Sequence, residues 1–284
     1  MSHVILHSLE ETAKLLPFLF LTYLLMEFLE HKAGGAAERW LRRSGKVGPV
    51  VGGALGLVPQ CGFSAAASGL YAGRIITTGT LLAVYLSTSD EMLPMLISAR
   101  APLPTILKLL GIKLAVGILV GVLVDLGATL LRRRNKSTLP EPQIEELCER
   151  EKCRCEDHFV LSALKHTVQI GAFVLVFVFL LNLLLHFLGE DVLTSLLSDK
   201  PVVGNLLAAL VGLVPGCASS VALTKLYLAG ILPLGPLMSG LLVNAGVGIV
   251  VLFRLNRPPK DSLRILALLF ATGLVAGLIV GMIF

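Results

Sequence analysis

Long apolar runs alternate with short charged clusters along the chain. The runs at 13–30, 76–98, 105–131, 160–188, 231–253 and 263–284 approach or exceed the roughly 20 residues a helix needs to cross a bilayer. Two other apolar regions, 47–73 and 201–228, behave differently. Each is interrupted by a Pro-x-Cys phrase, and flanking pieces such as 47–58 and 62–73 are too short to cross as straight helices. Pro59 and Pro215 lack an N–H and stop the first piece, while Gly62 and Gly216 let the backbone turn. The pattern predicts, in each region, two half-helices meeting at a tip inside the membrane.

The two interrupted regions are copies. Residues 56–71 read GLVPQCGFSAAASGLY and residues 212–227 read GLVPGCASSVALTKLY. A shift of 212 − 56 = 156 aligns nine of sixteen positions without a gap, among them Pro59/Pro215, Cys61/Cys217, Ser64/Ser220 and Tyr71/Tyr227. The same shift pairs Gly79 with Gly235, Pro102 with Pro258, Lys108 with Arg264, Gly117 with Gly273 and Gly121 with Gly277. Apolar segments often share Leu and Val by chance. They rarely share Pro, Cys, Tyr and a set of glycines in one register, so the chain reads as an internal duplication. It divides into a first transmembrane repeat at 1–131, a linker at 132–158 and a second repeat at 159–284.

Charge orients the halves. If each interrupted region enters and leaves on one side, each half makes three crossings, and the halves are inverted relative to one another. Lys32, Arg39, Arg42, Arg43 and Lys46, then Arg132, Arg133, Arg134 and Lys136, then Arg254, Arg257, Lys260 and Arg264 fall on one face of that model. The opposite face receives Glu190, Asp191 and Asp199, with Arg100 and Lys200 as minority cations. The positive-inside rule then predicts a cytoplasmic linker and extracytoplasmic termini in a cell (inner) membrane protein. Two short crossing helices in place of each hairpin give ten crossings and the same orientation. The expected fold is therefore an all-α polytopic membrane protein of two inverted-topology repeats, each with a broken or re-entrant helical hairpin.

Composition agrees. Mean hydropathy is +0.84 and only 15% of the 284 residues are charged, against about a quarter in soluble domains. A net charge of +5 in such a chain fits membrane topology, and no basic patch interleaved with aromatics suggests nucleic acid. No signal-peptide pattern precedes the first run, since Glu10 and Glu11 stand before it. The five cysteines are Cys61, Cys148, Cys153, Cys155 and Cys217, two in apolar segments and three in the linker, which is not a secreted disulfide framework.

Inverted repeats with broken helices are a signature of secondary transporters, and irregular backbone at membrane depth is tolerated where it lines a polar cavity. The tips offer Gln60, Cys61 and Ser64 from one half and Cys217, Ser219 and Ser220 from the other as substrate contacts. Sulfur favours soft metals or trivalent metalloids, which makes Cys61 and Cys217 candidate metal ligands. Both are equally compatible with buried packing. The stretch LSTSDEML at 86–93 puts Asp90 and Glu91 inside a predicted span, where charge is costly and usually functional. They are the candidates for proton coupling, unless the span ends earlier and they cap it before Pro94. The repeat partner reads LVNAGVGI, so Asn244 answers Thr88 and both join the candidate substrate set, while the acidic pair has no counterpart. Asp125 lies deep in the 105–131 run, with Lys113 or another helix as its expected partner. In the linker, Cys148, Cys153, Cys155 and His158 could hold a soft metal, although the spacing is not a standard zinc one and a solvated charged linker accounts for it as well.

The phrases VPQCGFSAAASGLYAGRIITTGTLLAVYLSTSDEMLP and GLVPGCASSVALTKLYLAGILPLGPLMSGLLVNAGVGIVVLFR resemble the ten-helix heavy-metal exporter family, which is related by description to arsenic permeases. Its members often carry a manganese-transporter label. The resemblance covers nearly the whole chain, including two halves and a cytoplasmic linker, and such linkers are often rich in metal ligands, commonly His. It implies a transporter.

The combined expectation is a secondary transporter exporting a heavy-metal or metalloid species by alternating access between the tips. Coupling would be to a proton or cation gradient, without a cofactor. No phrase G-x-x-x-x-G-K-[ST] offers direct ATP drive. Its partners are the lipid bilayer and a small inorganic or organic substrate, with a homodimer left open. The rival readings are a transporter of a small organic anion and an uncoupled channel. An enzyme is not expected, because Cys61 has no His near it within the spans to serve as base.

Overall fold

The computed structural model describes residues 47–57, 61–89, 92–135, 201–215, 217–256 and 259–283, with isolated positions at 16–20 and 164–179. Among them the helices are α1 (Gly48–Gly56), α2 (Cys61–Ala72), α3 (Thr78–Ser87), α4 (Met92–Ser98), α5 (Leu103–Asn135), α6 (Pro201–Gly212), α7 (Cys217–Leu228), α8 (Leu234–Val243), α9 (Gly248–Leu255) and α10 (Pro259–Ile283). The described residues contain no strand. The expected spans at 13–30 and 160–188 lie largely outside them, as does the linker beyond Asn135.

The duplication read from sequence recurs in the helix boundaries. A shift of 156 carries α2 onto α7 and α3 onto α8 end to end, and carries the starts of α4 and α5 onto those of α9 and α10. Both Pro-x-Cys regions split into half-helices where expected, with α2 and α7 each starting at the cysteine.

The expected continuous spans at 76–98 and 231–253 are each interrupted, the first after Ser87 and the second after Val243. The causes are local. The Ser87 hydroxyl donates to the Ala83 carbonyl at 2.7 Å and that of Thr88 to Val84 at 2.7 Å, a competition that ends helices. Thr88 then leaves the helical region, with ψ at 124°. In the second half Asn244 turns out at ψ 100°, its Oδ1 accepts from the Gly246 N–H at 2.9 Å, and Gly246 takes a left-handed φ of 57°. Hydropathy reads straight through the second break, whereas Asp90 and Glu91 follow the end of α3, where the sequence allowed the span to stop.

Burial separates the helices by role. The apolar windows of α5 and α10 are only 22% and 28% buried, whereas the stretch Leu234–Leu255, made of α8 and α9, is 94% buried. Leu107, Leu119, Leu123 and Ile279 stand exposed on the long helices, as a lipid-facing surface requires. Leu81, Leu82, Tyr85, Leu86, Leu237, Met238, Leu241 and Leu242 of α3 and α8 fill the core.

Close contacts fix the helix directions. Gly48 and Gly52 of α1 lie against Thr80, and Gly56 against Ser87, so α1 runs with α3. Ser68 of α2 meets Tyr85 and Tyr71 meets Thr78, so α2 runs back against α3. Gly79 and Gly121, then Ser87 and Gly117, pair α3 antiparallel to α5. In the second half Gly212 meets Gly240 on α8, while Gly235 and Ser239 of α8 meet Gly281 and Gly277 of α10. Helix α2 lies beside α9, and α7 beside α4.

Where α3 crosses α5 and α8 crosses α10, the backbones come close enough that only glycine fits, as at small-residue crossings in membranes. These are the glycines the repeat shares: 79 with 235 and 121 with 277. Asp125 belongs to the first crossing. Its carboxylate accepts from the Gly79 N–H at 2.9 Å and the Thr77 hydroxyl at 2.6 Å, so it caps α3 electrostatically from the neighbouring helix. One further contact joins the halves where α2 and α10 meet. Arg74 adopts a left-handed φ of 60°, the repeat position where Gly230 stands at 73°. A bulky residue there is explained by its bonds: Arg74 lies 3.3 Å from Asp261 and over the Tyr71 ring, and the Tyr71 hydroxyl donates to Asp261 at 2.8 Å.

A Cβ at Gly121 would meet the Gly79 carbonyl oxygen at 2.6 Å, while one at Gly111 has nothing within 4 Å among the described residues. Gly121→Leu should therefore destabilise the protein by at least about 1–3 kcal/mol, and Gly111→Leu should leave its melting temperature in detergent unchanged. Equal melting of the two variants would contradict the crossing.

Candidate functional site

The chain interruptions are brought together. The Ser89 hydroxyl at the first break donates to the Leu57 carbonyl at the end of α1, at 2.6 Å, so the first tip and the first break adjoin. Gly248, the first residue of α9 after the second break, packs its Cα against Ser64 in the first turn of α2. The second break therefore adjoins the first tip as well. The second tip closes on itself, the Ser219 hydroxyl donating to the Val214 carbonyl at 3.0 Å, and α7 beyond it lies against α4.

Ser64, Thr88, Ser219, Ser220 and Asn244, all named from sequence, are buried. Thr88 and Asn244, paired by the repeat, cap the C-termini of the equivalent helices α3 and α8. Cys61 and Cys217 open α2 and α7, with their side chains outside the described set. Gln60, Asp90, Glu91, Cys148, Cys153, Cys155 and His158 also lie outside the described residues. The neighbours of the acidic pair, Ser89 and Met92, are buried. No group of three or more His, Cys, Asp or Glu side chains comes together among the described residues.

Three groups at the junction were missed by sequence reasoning. Ser68 lies 2.7 Å from the Ser64 carbonyl, the Gly248 carbonyl and the Tyr85 hydroxyl. Its one proton serves a carbonyl, so the Tyr85 hydroxyl donates to Ser68. This ties α2 to α3 and, across the halves, to α9. The spacing of Ser64 and Ser68, one helical turn, was the available signal. The third group is Lys113, only 1% exposed on α5, whose ammonium donates to the Leu241 carbonyl of α8 at 2.7 Å. A lysine at the centre of a membrane helix costs about 2.5–3.5 kcal/mol on insertion scales, so it persists where partners hold it.

The two halves differ here. The repeat position of Ser68 is Thr224, that of Tyr85 is Leu241, and that of Lys113 is Leu269. Thr224 Oγ1 is buried without a hydrogen-bond partner among the described residues. Leu241, at the repeat position of Tyr85, has no hydroxyl to offer it.

These features define a polytopic helical membrane protein built from a duplicated unit of interrupted helices around a polar centre. A family model described as "Putative, 10TM heavy-metal exporter" matches residues 3–149 and 135–253. The chain belongs to that family, a class of transporters rather than enzymes. No curated protein and no solved structure matches it.

Equivalent positions should respond with opposite signs. Ser68→Ala leaves the Tyr85 hydroxyl without its acceptor and should cost about 1–3 kcal/mol. Thr224→Val removes an orphaned hydroxyl at constant volume and should be neutral or stabilising. Thermal unfolding of the two variants in one detergent checks both.

Proposed function

We propose that the protein is a secondary transporter that exports a heavy-metal or metalloid species, binding it between the tips at Cys61 and Cys217 and passing it across by alternating access. The observation that carries this reading is the convergence of chain interruptions from both halves on buried hydroxyls, within a family of heavy-metal exporters. Interrupted helices at membrane depth serve to present backbone groups to a substrate.

Helix directions support inverted, re-entrant topology. Helix α1 runs with α3 and α2 runs against it, so the first hairpin returns to the end it came from. Helix α2 runs with α9, since Ser64 meets Gly248 and Arg74 meets Asp261, so α8 enters from the other end. Arg74, Arg254, Lys260 and Arg264, with Arg132–Arg134 closing α5, share the end that leads to the linker, against Arg100, Lys108 and Lys225 toward the other. That asymmetry supports a cytoplasmic linker.

In this reading Asp90 and Glu91, beside the buried Ser89, carry the coupling proton, and Thr88, Asn244, Gln60, Ser64, Ser219 and Ser220 complete the substrate shell. A linker site at Cys148, Cys153, Cys155 and His158 would collect metal before transfer. The hydroxyls in the first turns of α2 and α7 favour one second reading, a small organic anion held at half-helix N-termini.

Thermal shift of the purified protein with Mn(II), Zn(II), Cd(II), trivalent arsenicals and small organic anions separates the two, because a stabilising ligand must bind the folded state. A soft metal or arsenical should stabilise the wild type and not Cys61→Ser/Cys217→Ser. Equal stabilisation of both by an organic anion would favour the second reading. In proteoliposomes, Asp90→Asn/Glu91→Gln should abolish the acceleration of transport by an imposed proton gradient. Gradient-independent flux in the wild type would mean a channel.

A further inference from the structure

Helix α8 ends at Val243, and the carbonyls of its last turn lose the amides that would have followed. Asn244 N–H still reaches the Gly240 carbonyl at 3.0 Å, and the Leu241 carbonyl receives the Lys113 ammonium from the other half of the molecule. A cation at a helix C-terminus is the favourable polarity. At the equivalent end of α3 the hydroxyls of Ser87 and Thr88 fold back onto the Ala83 and Val84 carbonyls of their own helix. Their repeat positions, Val243 and Asn244, have no hydroxyl, and the repeat position of Lys113 is Leu269. The side-chain bonds shown at the first break stay within its own half, whereas the second takes a lysine from the other half. Beyond the second break, Gly248 opens α9 against Ser64, in the helix that begins with Cys61.

We infer that Lys113 is a positioning residue of the transport cycle. It holds the α8–α9 break, and with it the α9 N-terminus at the candidate site, while the two halves have their present relation, and it releases the break when they move past one another. The first break travels through the cycle unchanged. The inference rests on the transporter reading for its place in a cycle, though not for its local effect.

Amide hydrogen exchange on the detergent-solubilised full chain tests the local effect. Lys113→Met should raise exchange at 242–250 about tenfold or more, as expected for loss of a charge-assisted hydrogen bond, and leave 84–89 unchanged. Lys113→Arg should restore most of the protection, and it serves as the reporting variant should Lys113→Met fail to fold, with exchange then rising at 242–250 alone and by less. Unchanged exchange, or an equal rise at both breaks, overturns the inference. In proteoliposomes with arsenite and Cd(II) as probes, Lys113→Met should lower turnover about tenfold while half-saturation shifts less than about threefold, the mark of a residue that acts on the moving state. Wild-type turnover in a variant with a loosened second break overturns the role in the cycle. Should the wild type move neither probe, the transporter reading fails for them, and the exchange result alone decides for or against the local hold.

Discussion

A helix that stops inside an apolar slab leaves backbone carbonyls and amides that water cannot reach, and each must find a partner within the protein. The arrangement around the centre of this molecule follows from that constraint. Ser87 and Thr88 fold back on α3, Asn244 holds Gly246, Ser219 closes the second tip, and Ser89 joins the first tip to the first break. Where no hydroxyl was at hand, after α8, a lysine came from the other half. Two of these partners, Ser89 and Lys113, also join separate segments.

Duplication gave the molecule two versions of one solution, and the versions have diverged. The glycine crossings are retained, since a side chain there would strike backbone on the neighbouring helix. Around the centre the halves differ: Ser68, Tyr85 and Lys113 of the first half face Thr224, Leu241 and Leu269 in the repeat. Packing interfaces need the same shape twice. A polar centre shared by both halves needs each partner only once, so one copy is free to change.

Much of the fold was legible in the residues. The repeat offset, the half-helices at Pro59 and Pro215, and the long outer helices α5 and α10 follow from identity, from helix breakers and from apolar length. The break at 244–247 was not, because Asn and Gly are tolerated within apolar helices, while the end of α3 at Ser87 was legible only as the alternative that the span stops before the acidic pair. Among the candidate residues, Ser64, Thr88, Ser219, Ser220 and Asn244 are buried. Asp125 was noticed for its depth, yet its partner is a helix N-terminus, which no spacing rule identifies.

The sequence by itself determined what is local or repeated: the apolar helical character, the repeated unit, the half-helices of the Pro-x-Cys regions and the charge asymmetry. Each rests on composition or on short-range pattern. Only the tertiary structure decided which helix end receives which side chain. Lys113 and Leu241 are separated by 128 residues, and Ser68 and Gly248 by 180. Such pairings arise from the way two halves enclose one another, and nothing in the chain between them encodes the contact.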